Sequence, residues 1–439
     1  MEPPQTAKNR LIHRREFVGG ALRMAAGTGA TLGAFGGVFA AEKRQSVQAL
    51  PSFDREVTEF MKARNVPGGA LAVVKDGRLV YAKGYGYADR ENKTPATAET
   101  LFRIASISKP ITGVAVMKLA EEGKLNLDDR AFDYIDLEPV VEFGKQPDRR
   151  LKAITIRQAL QHTGGWDRNQ SFDPMFRSDR IARMVGVERP ANASAVIRYM
   201  LGKPLDFSPG AKYAYSNFGY CVLGRVIEKV TGQAYVDYVK RGVLKPMGIA
   251  RMRIGRTLEG RQAEGETRYY MPGGKGKVAD NVFGDTPGKV PWPYGGFHLE
   301  AMDAHGGWIA SAVDLARFAA AMDKPGRAGV LNADSNRELY RPPEAPVSRV
   351  NGALKPYFYG LGWLVRPKSK AKANYWHGGS LPGTNTLLVR RWDGLSWAVL
   401  FNQRNQDKKL PDGAIDSALH RAANAVASWP AHDLFDAFG

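Results

Sequence analysis

A serine and a lysine stand three residues apart at the head of an apolar run, Phe102-Arg-Ile-Ala-Ser106-Ile-Ser-Lys109-Pro-Ile-Thr-Gly-Val-Ala-Val-Met-Lys-Leu119. On a helix, that spacing puts both side chains on one face. A serine hydroxyl is a weak nucleophile until a base takes its proton. A lysine is such a base once burial and neighbours bring its pKa toward neutrality. The helix start adds free N–H groups and a positive dipole end, which favour the oxyanion formed when the serine attacks a carbonyl. Ser369-Lys-Ala-Lys372 carries the same spacing. It lies in a polar, lysine-rich stretch with no apolar helix behind it and is read as a chance match.

Pro209-Gly-Ala-Lys-Tyr-Ala-Tyr215-Ser-Asn217-Phe-Gly-Tyr-Cys-Val-Leu-Gly224 reads as a loop that runs into a helical pattern. Tyr215-x-Asn217 is the only such pair among the seventeen tyrosines. A tyrosine near a lysine can relay protons between nucleophile and leaving group. An asparagine amide can fix the lysine and hold a substrate carbonyl; as an alternative, Asn217 is simply the cap of the following helix. A third element is expected from a sheet-edge strand opposite the serine, where glycines admit the substrate backbone and an N–H completes the oxyanion site. Three tripeptides compete: His162-Thr-Gly164, His305-Gly-Gly307 and His377-Gly378-Gly379. The first ends a helix, and the second runs into Ser311-Ala-Val-Asp314, a capping box. Only His377-Gly378-Gly379-Ser380 enters a strand-like region, so it is the choice.

With these residues in place, the chain resembles the serine beta-lactamases and penicillin-binding proteins, in particular the class C branch with its esterases and D-amino-acid peptidases. The resemblance runs from about Phe53 to Asn402 and includes Ile156-Arg-Gln-Ala-Leu-Gln-His-Thr-Gly-Gly165, Phe207-Ser-Pro-Gly210 and Asp314-Leu-Ala-Arg-Phe318. It implies an acyl-enzyme on Ser106, proton transfer shared by Lys109 and Tyr215, and an oxyanion site made by the Ser106 and Ser380 N–H groups. It does not say which side chain takes the first proton. The departure is His377, where the antibiotic-hydrolysing members carry lysine. A lysine stays cationic and anchors a carboxylate; an exposed histidine is mostly neutral at pH 7. Weak penicillin turnover at most is therefore expected.

The surrounding pattern suggests how these residues are held. Pro51 to Arg64 has helical periodicity with Ser52 as a cap candidate. Asp76-Gly77 and Asp393-Gly394 each sit between two strand-like runs, so two hairpins are expected, and a helix is expected from about 414 to 427. The middle is richer in helical patterns, at 154–161, 193–201 and 218–230. The expected fold is α/β (α+β) of the beta-lactamase/transpeptidase type: an antiparallel sheet built from both ends of the chain, flanked by helices, with an inserted mainly helical subdomain. The sheet part is placed at about 47–132 plus 300–430 and the insertion at about 133–299. The stretches 165–190 and 271–296 are Gly-, Pro- and aromatic-rich and are candidate loops over a cleft. Residues 366–372 are expected to be a solvated turn.

At 439 residues with 44% hydrophobic content, the chain can fill a sizeable core. Residues 1–40 differ from the rest: Arg14-Arg15, Phe17, a Gly/Ala-rich apolar stretch and Val38-Phe-Ala-Ala41 outline a twin-arginine export signal. The catalytic part is then 41–439, exported and periplasmic, with no stable membrane insertion of the mature chain. The single cysteine, Cys221, precludes an internal disulfide and lies in an apolar helical stretch where a buried small hydrophobe is expected. The formal charge of +19 includes about +3 from residues 1–40. The rest favours anionic cell-wall polymer or lipid over nucleic acid, for which there is no basic arm or recognition motif. The seven histidines show no metal-ligand spacing, so neither a metal nor another cofactor is expected. The expected substrate is a small ester or a peptide, a cell-wall peptide included.

Overall fold

The structure, a computed structural model, describes residues 49–438 apart from 142–145, 274–277, 285–287, 324–325, 327–329, 345, 351, 370–371 and 406. The export signal expected at 1–40 lies outside the described residues. Val47–Gly439 pack as one compact unit.

Among the described residues, the main sheet is made of β1 (Gly68–Lys75), β2 (Arg78–Asp89), β3 (Thr94–Pro95), β4 (Phe358–Tyr359), β5 (Leu364–Ser369), β6 (Lys372–Leu381), β7 (Thr384–Arg390) and β8 (Leu395–Phe401). Their order is β4-β5-β6-β7-β8-β1-β2-β3, antiparallel throughout, with β1 beside β8. The two ends of the chain thus meet in one sheet. Asp76 and Gly77 take φ of 53° and 78°, the backbone of a two-residue turn whose twist matches that of its strands. The second hairpin turns at Gly394, whose carbonyl accepts the Asp76 N–H at 2.8 Å.

The helices used below are α1 (Pro51–Arg64), α2 (Ser108–Glu121), α3 (Ile156–Leu160), α4 (Ser178–Val185), α5 (Ala193–Leu201), α6 (Asn217–Thr231), α7 (Ala312–Asp323) and α8 (Ala414–Asn424). Strand alternation sends Leu71 and Val73 of β1 to one face and Ala70, Ala72 and Val74 to the other. The first face packs against Phe53, Val57 and Phe60 of α1 and Ile415 and Leu419 of α8. The second joins a larger core holding α2, α5, α6 and α7. The result is a sheet between two helical layers. Helix α2 is apolar nearly all round and buries eleven of its fourteen residues, as suits a helix at the centre of a layer. Cys221 lies fully buried in α6.

Several local expectations change. Ser52 does not cap α1: Leu50 is the N-cap and Pro51 fills the first turn, while Ser52 Oγ donates to the Ala422 carbonyl at 2.9 Å, tying α1 to α8. Residues 366–369 continue β5, so the turn is shorter than the polar composition suggests. The stretch 165–190 contains α4, and 271–296 contains a small hairpin, Val278–Asp280 with Lys289–Pro291. Short polar-rich elements of this kind carry weak periodicity and are fixed by packing. No helix among the described residues is long and apolar enough to cross a membrane.

Candidate active site

Ser106 lies in a 3-10 turn, Ala105–Ile107, that leads into α2, and Lys109 is the second residue of that helix. Ala105 has φ of 49°, a left-handed backbone that an L side chain adopts at a cost. Two contacts hold the turn there: Ser108 Oγ donates to the Ala105 carbonyl at 2.7 Å, and Thr386 Oγ1 of β7 donates to the Ile104 carbonyl at 3.0 Å. The Ser106 side chain is left half-buried at the floor of a cleft.

Lys109 is fully buried. Its Nζ lies 3.1 Å from Ser106 Oγ, 2.7 Å from Asn217 Oδ1 and 3.0 Å from the His305 carbonyl oxygen. Burial pulls the amine well below its ordinary range; the Asp173 carboxylate works against this and the Arg168 guanidinium adds to it. Tyr215 moves the other way. Burial pushes its phenol up, with a hydrogen bond to Ser106 partly offsetting that. The Lys109 Nζ lies 4.7 Å from the centre of the Tyr215 ring. Asn217 is the first residue of α6, and the cap is Ser216, whose Oγ accepts from Gly219 N at 3.3 Å. The Asn217 amide is therefore free to join Lys109.

His377, Gly378, Gly379 and Ser380 lie in β6 and line the same cleft as Ser106 and Tyr215, which has a volume of about 480 Å³. β6 is an interior strand, not the expected edge strand. Its pairing with β5 nevertheless stops at Trp376, so from His377 onward one side has no strand neighbour among the described residues. Gly379 has a steric reason: a Cβ there would stand 2.2 Å from the Ile104 carbonyl oxygen and 2.2 Å from Thr386 Oγ1. Gly379→Ala should push β6 off the Ser106 turn, lowering stability by about 1 to 3 kcal/mol and turnover by more than about tenfold. Chemical denaturation and steady-state kinetics on one preparation check both.

The expectation of an exposed His377 is corrected: it is only 2% exposed. Its Nδ1 donates to the Gly378 carbonyl at 2.7 Å, so Nε2 carries the lone pair and accepts from the Tyr359 hydroxyl at 2.8 Å. Burial, with Lys109 nearby, pulls this imidazole down to about 3. His377 is neutral across the physiological range and offers no cation.

The two histidine tripeptides set aside in favour of β6 also converge here. The His162 ring packs 4.3 Å from both Tyr215 and Tyr359, and its Nδ1 accepts from Ser216 N at 3.2 Å. His305 supplies the carbonyl that holds Lys109. Sequence reasoning also missed Arg168 and Asp173. The Arg168 guanidinium lies 4.7 Å from the Tyr215 ring centre and lines the cleft. Asp173 Oδ2 accepts from Asn217 Nδ2 at 2.6 Å. The available signal was their place in a Gly- and Pro-rich stretch just after His162. Ser369 and Lys372 are exposed and pair with each other at the ends of β5 and β6, and neither lines this cleft.

His162, His305 and His377 are all held below their ordinary pKa by burial. Above about pH 6.5 both folded and unfolded chains keep them neutral. As the pH falls below that, the unfolded chain takes up protons that the folded one refuses, so stability drops until about pH 3, where His377 itself protonates. Denaturation midpoints should fall steadily between about pH 7 and about pH 4; a flat profile would contradict the neutral assignment.

Comparison with known proteins adds the family. Residues 53–420 match the family described as Beta-lactamase. The chain belongs to the beta-lactamase family. Within it, the chain is 32% identical over 194 residues to Protein flp of Staphylococcus aureus (strain N315), a match that takes in 44% of this chain and 36% of that protein's length. The octameric penicillin-binding protein homologue from Pyrococcus abyssi is 26% identical with a TM-score of 0.63, covering 84% of this chain and 77% of that one. A D-amino acid amidase from Ochrobactrum anthropi shares the fold at 22% identity, with a TM-score of 0.64 over 86% of this chain and 98% of its own. The fold is of the beta-lactamase/transpeptidase type, and the chain spans about a third of the length of the curated relative named first.

Proposed function

We propose that this chain is an exported serine hydrolase that forms an acyl-enzyme on Ser106 and cleaves ester or amide bonds of small or peptide substrates. The observation that carries it is the buried Lys109 amine 3.1 Å from Ser106 Oγ. An amine held well below its ordinary pKa gives up its proton more readily and so can present a lone pair to the Ser106 proton, whereas the raised Tyr215 phenol keeps its own. Lys109 is therefore the first acceptor. Ser106 Oγ loses its proton to Nζ and bonds to the substrate carbonyl carbon, and the carbonyl oxygen takes the negative charge. The Ser106 and Ser380 N–H groups face that charge as oxyanion donors. The C–O or C–N bond breaks as Tyr215 gives its proton to the leaving group and regains one from the Lys109 ammonium. Water then attacks the acyl carbon, giving its proton to Lys109; the bond from the acyl carbon to Ser106 Oγ breaks, and Oγ takes that proton from the Lys109 ammonium.

Exposure to a fluorophosphonate, followed by intact-mass spectrometry, should give one adduct per chain. A folded protein that takes no adduct would turn the reading toward a binding protein that kept the fold without the chemistry. Export by the twin-arginine route and a periplasmic site belong to the same proposal and rest on residues 1–40. A second reading is a cell-wall D,D-peptidase or D-aminopeptidase. Arg168 favours it: a guanidinium beside Tyr215 suits a substrate carboxylate, and the positive charge outside residues 1–40 suits an anionic envelope. Release of D-alanine or a D-amino acid from peptides separates it from an esterase. With no cation at His377, beta-lactam turnover should be weak in either case.

A further inference from the structure

Asp173 lies in the chain between Trp166 and α4, and its side chain is 14% exposed. Each of its oxygens has a separate partner. Oδ1 accepts the Met175 backbone N–H at 3.2 Å, capping the turn Pro174–Phe176. Oδ2 accepts from Asn217 Nδ2 at 2.6 Å, and the Arg168 guanidinium stands 3.9 Å from it. An ionised carboxylate only accepts, while an amide has one donating and one accepting end. With Nδ2 tied to Asp173, Asn217 must turn Oδ1 the other way, where it accepts from Lys109 Nζ at 2.7 Å. Turning the amide over would set two oxygens against each other and aim N–H groups at the amine.

We infer that Asp173 is a positioning residue of this site: its carboxylate locks the Asn217 amide with the oxygen toward Lys109 and so holds the amine beside Ser106. As a role in catalysis this rests on the serine hydrolase reading. Its charge reaches the amine as well. Among the groups around Lys109, Asp173 favours the protonated form and Arg168 opposes it; Tyr215 and Tyr220 present ring faces. His162, His305 and His377 are neutral, and the His305 carbonyl accepts from Nζ. A carboxylate that served only to cap Pro174–Phe176 would leave all of this untouched.

Asp173→Asn in the full chain separates the two roles, because an asparagine oxygen can still accept from Met175 N. A nitrophenyl ester should show kcat reduced by about 10- to 100-fold with KM within about twofold. The acid limb of kcat/KM should move to lower pH, since the negative charge favouring protonated Lys109 is gone, and the thermal midpoint should stay in place. NMR of carbon-labelled lysine, with the Lys109 signal identified by its loss in Lys109→Met, should show that lysine titrating at lower pH in Asp173→Asn than in the parent. An unchanged kcat and an unchanged titration would overturn the proposal, as would a loss explained wholly by unfolding. The titration needs no turnover, so it still decides the proposal if the parent takes no fluorophosphonate adduct and the hydrolase reading itself fails. Should the variant not fold, the parent's Asn217 side-chain amide signal, identified by Asn217→Ser, should respond as Asp173 titrates; a signal indifferent to that titration would equally overturn the proposal.

Discussion

Replacing Ser106 by Ala should abolish covalent labelling and lower turnover by about 10,000-fold or more, equivalent to about 5.4 kcal/mol of transition-state stabilisation. Ser106 Oγ is the hydroxyl oxygen that lies within hydrogen-bond distance of Lys109 Nζ, at 3.1 Å, and Ser106 lines the cleft. The fold should survive. The turn is held by Ser108 and Thr386 rather than by the Ser106 hydroxyl, and the side chain is half-buried, so removing one oxygen leaves no large cavity. Parent and variant should therefore denature at the same midpoint while only the parent gains mass with a fluorophosphonate. Normal turnover by Ser106→Ala would end the acyl-serine reading.

Lys109→Met has the next largest expected effect. Methionine matches the length of the lysine stem but cannot take a proton, so turnover should drop by about 1,000-fold. The parent's kcat/KM should rise with pH as the amine loses its proton, and that limb should vanish in the variant. Stability changes for two opposed reasons. Asn217 Oδ1 and the His305 carbonyl lose a donor, at about 1 to 3 kcal/mol each, while relief of the buried amine offsets part of it. The net expectation is a loss of about 1 to 2 kcal/mol by urea denaturation. A variant as fast as the parent would move the first proton from Lys109 to Tyr215.

The parts of this site legible in the sequence share a property: their chemistry depends on near neighbours. Ser106 and Lys109 are three residues apart, so the start of one helix brings them to one face, and the apolar run behind them marks that helix. Tyr215 and Asn217 are recognisable because the pair is unique and precedes α6. The hairpins around Asp76-Gly77 and Asp393-Gly394 are equally local, since the positive φ of Asp76, Gly77 and Gly394 is a matter of residue type. The strand carrying His377 to Ser380 could be chosen among three candidates because only it continues into a strand pattern. That it approaches Ser106 closely enough to require Gly379 is visible only in the packed structure.

Other features depend on what the folded chain places around a residue. An exposed and a buried His377 have the same sequence; burial, with Lys109 nearby, keeps the ring neutral, and Tyr359, eighteen positions away, donates its hydroxyl to Nε2. His162 and His305, weighed as oxyanion strands, instead brace Tyr215 and hold Lys109, because a helix end and a turn converge on the amine from opposite parts of the chain. Asp173 and Arg168 form no motif with Asn217, from which they are 44 and 49 positions distant; only the packing of the 165–190 stretch over α6 brings them together. The sequence alone determined which groups could do chemistry, the family they resemble and the local turns and helices that carry them, since these follow from spacing and backbone preference. The tertiary structure decided their protonation states, the direction of the Asn217 amide and the cation present in the cleft, because burial and charge at short distance depend on every neighbour at once.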